Sequence, residues 1–262
     1  MSPHPNDSKP IIETRGLIRR FGEKVAVAGI DLQVPRGSFF GFLGPNGAGK
    51  TTTVRMLTGL LAPTEGEALI AGRSIREQPV EIKRRIGVVP DTLALFDRLS
   101  LWEHVTLVGR IYGLTKSDTE SRGEELLTLL GLWEDRGVYA TDASHGMRKK
   151  TALAIALLHA PKVLFLDEPF EGIDPIASKV LRDLLRLLSS QGTTIFLTSH
   201  ILEIIERLVD RVAMIVKGKI ELVEPLAVLQ SGGRTLEEAF ITAAGADQTR
   251  EVDLSWLHGK TD

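Results

Sequence analysis

Residues 41–52 read GFLGPNGAGKTT, a glycine-rich turn between a short apolar run and a stretch of helical pattern. Within it Gly44, Gly49, Lys50 and Thr51 fit the spacing G-x-x-x-x-G-K-[ST]. Each residue type has a physical task there. Glycines let the backbone curl so that successive N–H groups converge on phosphate oxygens. A helix opening directly after the loop adds the partial positive charge of its N-terminus. Lys50 brings a full charge to β- and γ-phosphates, and the Thr51 hydroxyl is a ligand for Mg2+. The loop Gly44, Pro45, Asn46, Gly47, Ala48, Gly49, Lys50, Thr51 and Thr52 is the expected phosphate cradle.

Outward from this loop, short apolar runs recur at 38–44, 86–90, 163–168 and 193–199. They are rich in β-branched and aromatic residues and too short for ordinary helices, so they read as strands buried on both faces of a parallel sheet. Helices are expected from Gly49 to about Leu60 and from Pro175 to Ser190, the latter with Asp174 as N-cap. Two regions break the alternation. VAVAGIDLQV reads as an antiparallel strand, and 211–223 as a hairpin turning at Lys217-Gly218. Between 92 and 160 the chain reads as helical, over 100–112, 119–131 and 146–159. The expected fold is α/β: a P-loop NTPase core with a mainly parallel sheet, an antiparallel β subdomain and an inserted helical lobe.

The chain has 262 residues and 43% hydrophobic content, enough for a sizeable core. Lys plus Arg total 32 against 34 Asp plus Glu, a net charge of -2, so there is no global basic excess and no nucleic-acid partner is expected. There are no cysteines, which excludes disulfides and thiolate chemistry. The opening MSPHPNDSKP lacks the apolar centre of a secretory signal and reads as a frayed tail. The richest apolar segments, 152–158 and 163–166, fall short of a membrane span. A cytosolic protein is expected, acting on a membrane only through a partner.

KVLFLDEP places Asp167 and Glu168 at the carboxyl end of a buried strand, the edge where open α/β sheets bind ligands. Asp167 suits the Mg2+ shell, and Glu168, pointing elsewhere, can polarise an attacking water. An Asp-Glu pair alone is as often an ordinary strand end; the upstream phosphate loop selects the functional reading. TTIFLTSH ends the next strand with His200, placed to hydrogen-bond a γ-phosphate and help position that water.

Together these segments resemble the nucleotide-binding subunit of an ABC transporter, from about residue 11 to 245. The resemblance implies ATP and Mg2+ as ligands and Glu168, His200 and Lys50 as catalytic residues. It implies Phe21, in RRFGEK, as the aromatic stacked on adenine. It implies FEGID as a loop carrying Asp174 across a dimer interface, a role that can coexist with helix capping. The family's signature, Leu-Ser-Gly-Gly-Gln, corresponds here to Ala143, Ser144, His145, Gly146 and Met147. Ser144 remains a short donor at a helix start, and Gly146 allows close approach. The resemblance directs this helix end at the γ-phosphate held by a second subunit; as a Ser it is also an ordinary N-cap. Ser144 beside His145 does not read as a protease pair, since nucleophile and base meet in space rather than in sequence. Arg148, Lys149 and Lys150 read as a solvated helix face.

Asp91, in IGVVPD, stands where the family commonly has Gln. An Asp can still ligate the metal, but it adds negative charge beside the γ-phosphate. SGGRTLEEAFITAAG and LSLWEHVTLVGRIYGL resemble the type-2 exporter branch. The resemblance thus implies one ATPase domain over 11–245, with its core at 11–91 and 161–224, a helical lobe at 92–160 and a helical segment at 225–245. Residues 1–10 and 246–262 are tails. The implied partners are a second nucleotide-binding subunit, identical or paralogous, and an integral membrane permease that holds the chain peripherally on the cytoplasmic face of the membrane. Other readings are a soluble ATPase of this family acting on ribosomes or DNA, and a hydrolysis-poor module gated by ATP.

Overall fold

A computed structural model describes residues 9–233 and 235–243. Residues 1–8 of the expected tail 1–10, the expected tail 246–262, and residues 234 and 244–245 lie outside the described residues. In chain order the first elements are β1 (Ile12–Phe21), β2 (Lys24–Val34), β3 (Phe39–Leu43), α1 (Lys50–Leu57), β4 (Glu65–Ile70), β5 (Arg73–Ser74), α2 (Pro79–Lys83) and β6 (Ile86–Val89). A helical stretch follows with α3 (Leu101–Ile111), α4 (Lys116–Leu129) and α5 (His145–Leu157). The chain then returns through β7 (Val163–Asp167), α6 (Pro175–Ser190), β8 (Thr194–Ser199) and α7 (Leu202–Glu206). The last elements are β9 (Arg211–Val216), β10 (Lys219–Pro225), α8 (Leu226–Ser231) and α9 (Leu236–Ala243).

One sheet has the order β10-β9-β3-β8-β7-β6, parallel except for β10 against β9. The other is antiparallel, β2-β1-β4-β5. In β3, β7 and β8 every residue is buried. Period-2 alternation divides these strands between two cores. Phe39, Leu43, Leu164, Leu166, Ile195 and Leu197 face the layer of α5, α6 and the helical region. Phe40, Phe42, Phe165 and Phe196 face α1 and the antiparallel sheet. Phe196 lies at the middle of that second core, 5.4–5.6 Å between ring centroids from Phe40, Phe42 and Phe165. Burial of such side chains contributes about 1.5–3 kcal/mol each.

The expected fold class is what the structure shows, with shifted boundaries. Helix α1 stops at Leu57 rather than near Leu60, because the Thr58 hydroxyl bonds back to Val54 and Gly59 turns left-handed at φ 69°. Helix α4 begins at Lys116, not 119, because Thr115 caps it by accepting from the Asp118 N–H at 3.0 Å. Strand β4, EGEALI, was not among the expected elements. The hairpin turn at Lys217-Gly218 is present, with φ of 48° and 81°, as a two-residue turn requires. Ser100 caps α3 in a capping box with Glu103. Buried His104 uses both ring nitrogens: Nδ1 donates to the Ser100 carbonyl at 2.7 Å, and Nε2 accepts from the Phe96 N–H at 2.9 Å. This pins the segment leading from Asp91 into α3.

Candidate active site

The loop between β3 and α1 is formed by backbone crowding as much as by glycine freedom. A Cβ on Gly44 would come within 2.3 Å of the Ile215 carbonyl oxygen, and one on Gly49 within 2.6 Å of that of Ala26. Gly49 sits at φ 113°, closed to other residues in practice. The buried Lys50 side chain folds back along the loop, donating to the Gly44 carbonyl at 2.8 Å.

β7 carries the acidic pair beside it. Asp167 is 2% exposed. Its carboxylate accepts from the Thr198 hydroxyl, and the Thr51 hydroxyl stands near enough to favour its charged form. Burial pushes the Asp167 carboxyl above the ordinary Asp range, the two threonine hydroxyls pull it back, and nearby Asp91 and Glu168 push it up again. Glu168 turns the other way, at φ 50°. Left-handed backbone at a non-glycine costs about 1–3 kcal/mol and has to be held by its surroundings. Here it aims the carboxylate between the Lys50 ammonium, Nζ at 3.5 Å, and the His200 ring, Nδ1 at 3.0 Å. The His200 N–H also donates to Glu168 Oε2 at 3.3 Å.

A cleft of about 560 Å3 opens over this group. Of the expected residues it brings together Phe21, Pro45, Asn46, Gly47, Gly49, Lys50, Thr51, Thr52, Asp91, Glu168 and His200. Gly44, Ala48 and Asp167 are not on its lining; Gly44 and Ala48 shape the loop behind, and Asp167 reaches the site through Thr51. Phe21 stands at the far end, 46% exposed, with the Arg19 guanidinium 4.6 Å from its ring centroid. Ser144, Gly146 and Asp174 are outside the cleft. Ser144 is exposed and caps α5 by accepting from the Met147 N–H at 3.2 Å. Asp174 caps α6 by accepting from the Ile176 and Ala177 N–H groups at 3.0 Å each. Those bonds, Ala177 first, hold its carboxyl below the ordinary Asp range. Both caps are real, and neither touches the cleft of its own chain.

Cleft residues that the sequence reading did not assign are Lys24, Ala26 and Glu171. One expectation is overturned. Of the basic run expected to face solvent, Lys149 is buried at 3% exposure, and its Nζ donates to the carbonyls of Glu168 at 2.7 Å and Glu171 at 2.6 Å. The signal was helical phase: Lys149 shares the buried face of α5 with Ala152, Leu153 and Ala156, at i+3, i+4 and i+7.

Hard oxygen donors at Thr51, Asp167 and Asp91 suit Mg2+. Among the described residues no three His, Cys, Asp or Glu side chains converge as a metal cage.

A glycine cradle on a parallel sheet, an acidic strand end and a histidine at the same edge define a P-loop nucleotide hydrolase. A family model described as ABC transporter matches residues 27–171. The linearmycin resistance ATP-binding protein LnrL of Bacillus subtilis (strain 168) is 33% identical over 249 residues, 94% of this chain and 79% of that protein. The bacitracin transport ATP-binding protein BcrA of Bacillus licheniformis is 37% identical over 249 residues, 95% of this chain and 79% of that protein. The solved structure of an ATP-binding subunit of an ABC transporter matches with TM-score 0.83 and 28% identity, over 89% of this chain and 99% of that one. The chain belongs to the ABC transporter family, as an ATP-binding subunit that hydrolyses ATP for transport.

Proposed function

We propose that this chain is the motor of an exporter. Its functional unit is 11–245, with 92–160 as the helical lobe. Two copies, or one copy and a close paralogue, would enclose two ATP molecules between the phosphate loop of one subunit and the Ser144 helix end of the other. One observation carries this reading: Lys50 and His200 converge on Glu168 in the cleft, while the capped N-terminus of α5 stands outside it. The cleft supplies one half of an enclosed site, and the α5 end is the anion-binding element suited to the other half.

Within the cleft, Phe21 would take the adenine face, as Arg19 already polarises its ring. Lys50 and the loop N–H groups would hold the β- and γ-phosphates. Thr51, Asp167 and Asp91 would hold Mg2+, which neutralises developing phosphate charge when bound. Glu168 would orient the attacking water, and His200 would fix the Glu168 carboxylate and reach the γ-phosphate.

Among the described residues no helix is long and apolar enough to cross a membrane. In this reading a separate permease holds the chain at the cytoplasmic face. It would dock through the helical region around 92–115, where Phe96 and Ile111 are exposed. Export is supported by the relatives named for resistance and antibiotic transport, and by Leu236, Glu237 and Phe240 in α9, which carry the exporter-branch pattern.

The test is Glu168→Gln. Turnover should fall about 10²- to 10⁴-fold, and the variant should elute as an ATP-bound dimer on gel filtration. A variant that stays monomeric at saturating ATP with its permease present rules out the enclosed pair.

A further inference from the structure

Lys149 sits in the second turn of α5, yet its side chain ends at the catalytic loop of the core. Its Nζ binds the main-chain carbonyls of Glu168 and Glu171 at 2.7 and 2.6 Å. These are short, charge-assisted bonds. They fall on the residue whose left-handed backbone, φ 50°, has to be held from outside.

We infer that Lys149 is a positioning residue for ATP hydrolysis: it locks the Glu168 peptide so that the carboxylate points into the cleft, and it ties residues 168–171 to helix α5. One further contact binds the same loop to the same helix. The His145 ring lies against Gly172, where a Cβ would come 3.1 Å from its Cδ2. The loop that carries both Glu168 and Asp174 therefore rides on the first two turns of α5. Ser144 and Gly146 head that helix. A displacement of the helix end by a second subunit would be felt at the chain's own catalytic glutamate, with Lys149 as the link.

The plain alternative is packing. The Lys149 stem borders an apolar cavity of about 350 Å3 with Val89, Leu153, Leu166, Ile173 and Leu181, and any long aliphatic side chain would fill that space. Packing gives no reason for a buried ammonium. Burial pushes the Lys149 pKa down, while Glu171, Asp91, Glu168 and Asp167 pull it up. Burial is the larger effect, so the net shift is downward; what packing leaves unexplained is that Nζ meets two main-chain carbonyls at hydrogen-bond distance.

The inference rests on Glu168 as the catalytic carboxylate, so Glu168→Gln is measured beside Lys149→Met and Lys149→Gln in the purified full chain. Methionine keeps the stem and removes both bonds. Lys149→Met should lower kcat about 10- to 100-fold with the ATP Kd within about twofold, and should accumulate ATP-bound dimer as Glu168→Gln does. Lys149→Gln, which retains an uncharged donor, should fall between Met and native. Native kcat in Lys149→Met, or parallel losses of kcat and ATP affinity, overturns the inference. If Lys149→Met does not fold, Lys149→Gln decides: a loss confined to kcat supports it, and a loss in both constants or in neither overturns it. An active Glu168→Gln would instead remove the catalytic assignment itself.

Discussion

Glu168 and Asp167 are neighbours in sequence with opposite surroundings. Asp167 points into the sheet toward two threonines, and Glu168 points out between Lys50 and His200. That the two neighbours point apart was legible from KVLFLDEP, but the left-handed backbone that aims Glu168, just past the end of β7, was not. Phe21 is half-exposed on the cleft and touches none of Lys50, Glu168 or His200 in the hydrogen bonds and ion pairs found there, so its contribution should be affinity rather than rate. Phe21→Ala should raise the ATP Kd about tenfold, the low to middle range for one base–aromatic stack, while Phe21→Trp retains binding. Titration with a fluorescent ATP analogue measures both. Asp91 is exposed on the cleft wall and adds to the negative charge around Asp167. Asp91→Gln should therefore alter Mg2+ dependence and permease-stimulated turnover; ATPase assays over a Mg2+ series that superpose with native would remove Asp91 from the metal shell. Lys149 was the residue misread. Three basic residues in a row look like a solvated face until the helix phase is set by Ala152, Leu153 and Ala156. Even then, the carbonyls it reaches belong to another element and leave no mark near residue 149 in the sequence.

At the scale of elements, strands buried on both faces announced themselves as continuous apolar runs: β3, β6, β7 and β8 all lie where such runs were read. β4 did not, because half its residues are glycine or glutamate on a sheet face open to solvent, and periodicity carries little signal there. Helix starts depended on caps. Asp174 and Ser144 were legible as caps, whereas Thr115 was passed over and α4 was begun three residues late. Asp174 also gives α6 a pH dependence whose sign follows from its bonds. Its carboxyl is held below the ordinary Asp range by the Ala177 and Ile176 N–H groups. A depressed folded pKa stabilises above the unfolded value and loses that contribution as pH falls through the folded one. Asn caps nearly as well but does not titrate. Native protein without ATP should thus lose thermal stability faster than Asp174→Asn as pH drops below about 4. Melting curves that run parallel across that range would show that the cap's charge contributes nothing.

At the scale of the whole molecule, the geometry divides the proposed reaction between surfaces that one chain does not bring together. The cleft holds Lys50 and Glu168, while Ser144 and Asp174 project elsewhere. An enclosed pair turns that division into a complementation test. Lys50→Ala removes the phosphate cation and leaves the α5 end sound; Ser144→Arg spoils the α5 end and leaves the cleft sound. Neither variant alone should hydrolyse ATP at more than a small fraction of the native rate. In a mixed pair, one site combines both lesions and the other combines two sound halves. If the working pair is two copies of this chain, an equimolar mixture should recover up to about a quarter of native turnover, since about half of random pairs are mixed and each keeps one sound site. A site complete within one chain predicts no recovery at any mixing ratio. A pair with a paralogue predicts recovery only when that paralogue supplies the missing half, so adding it to each variant separates these cases by steady-state ATPase rate alone.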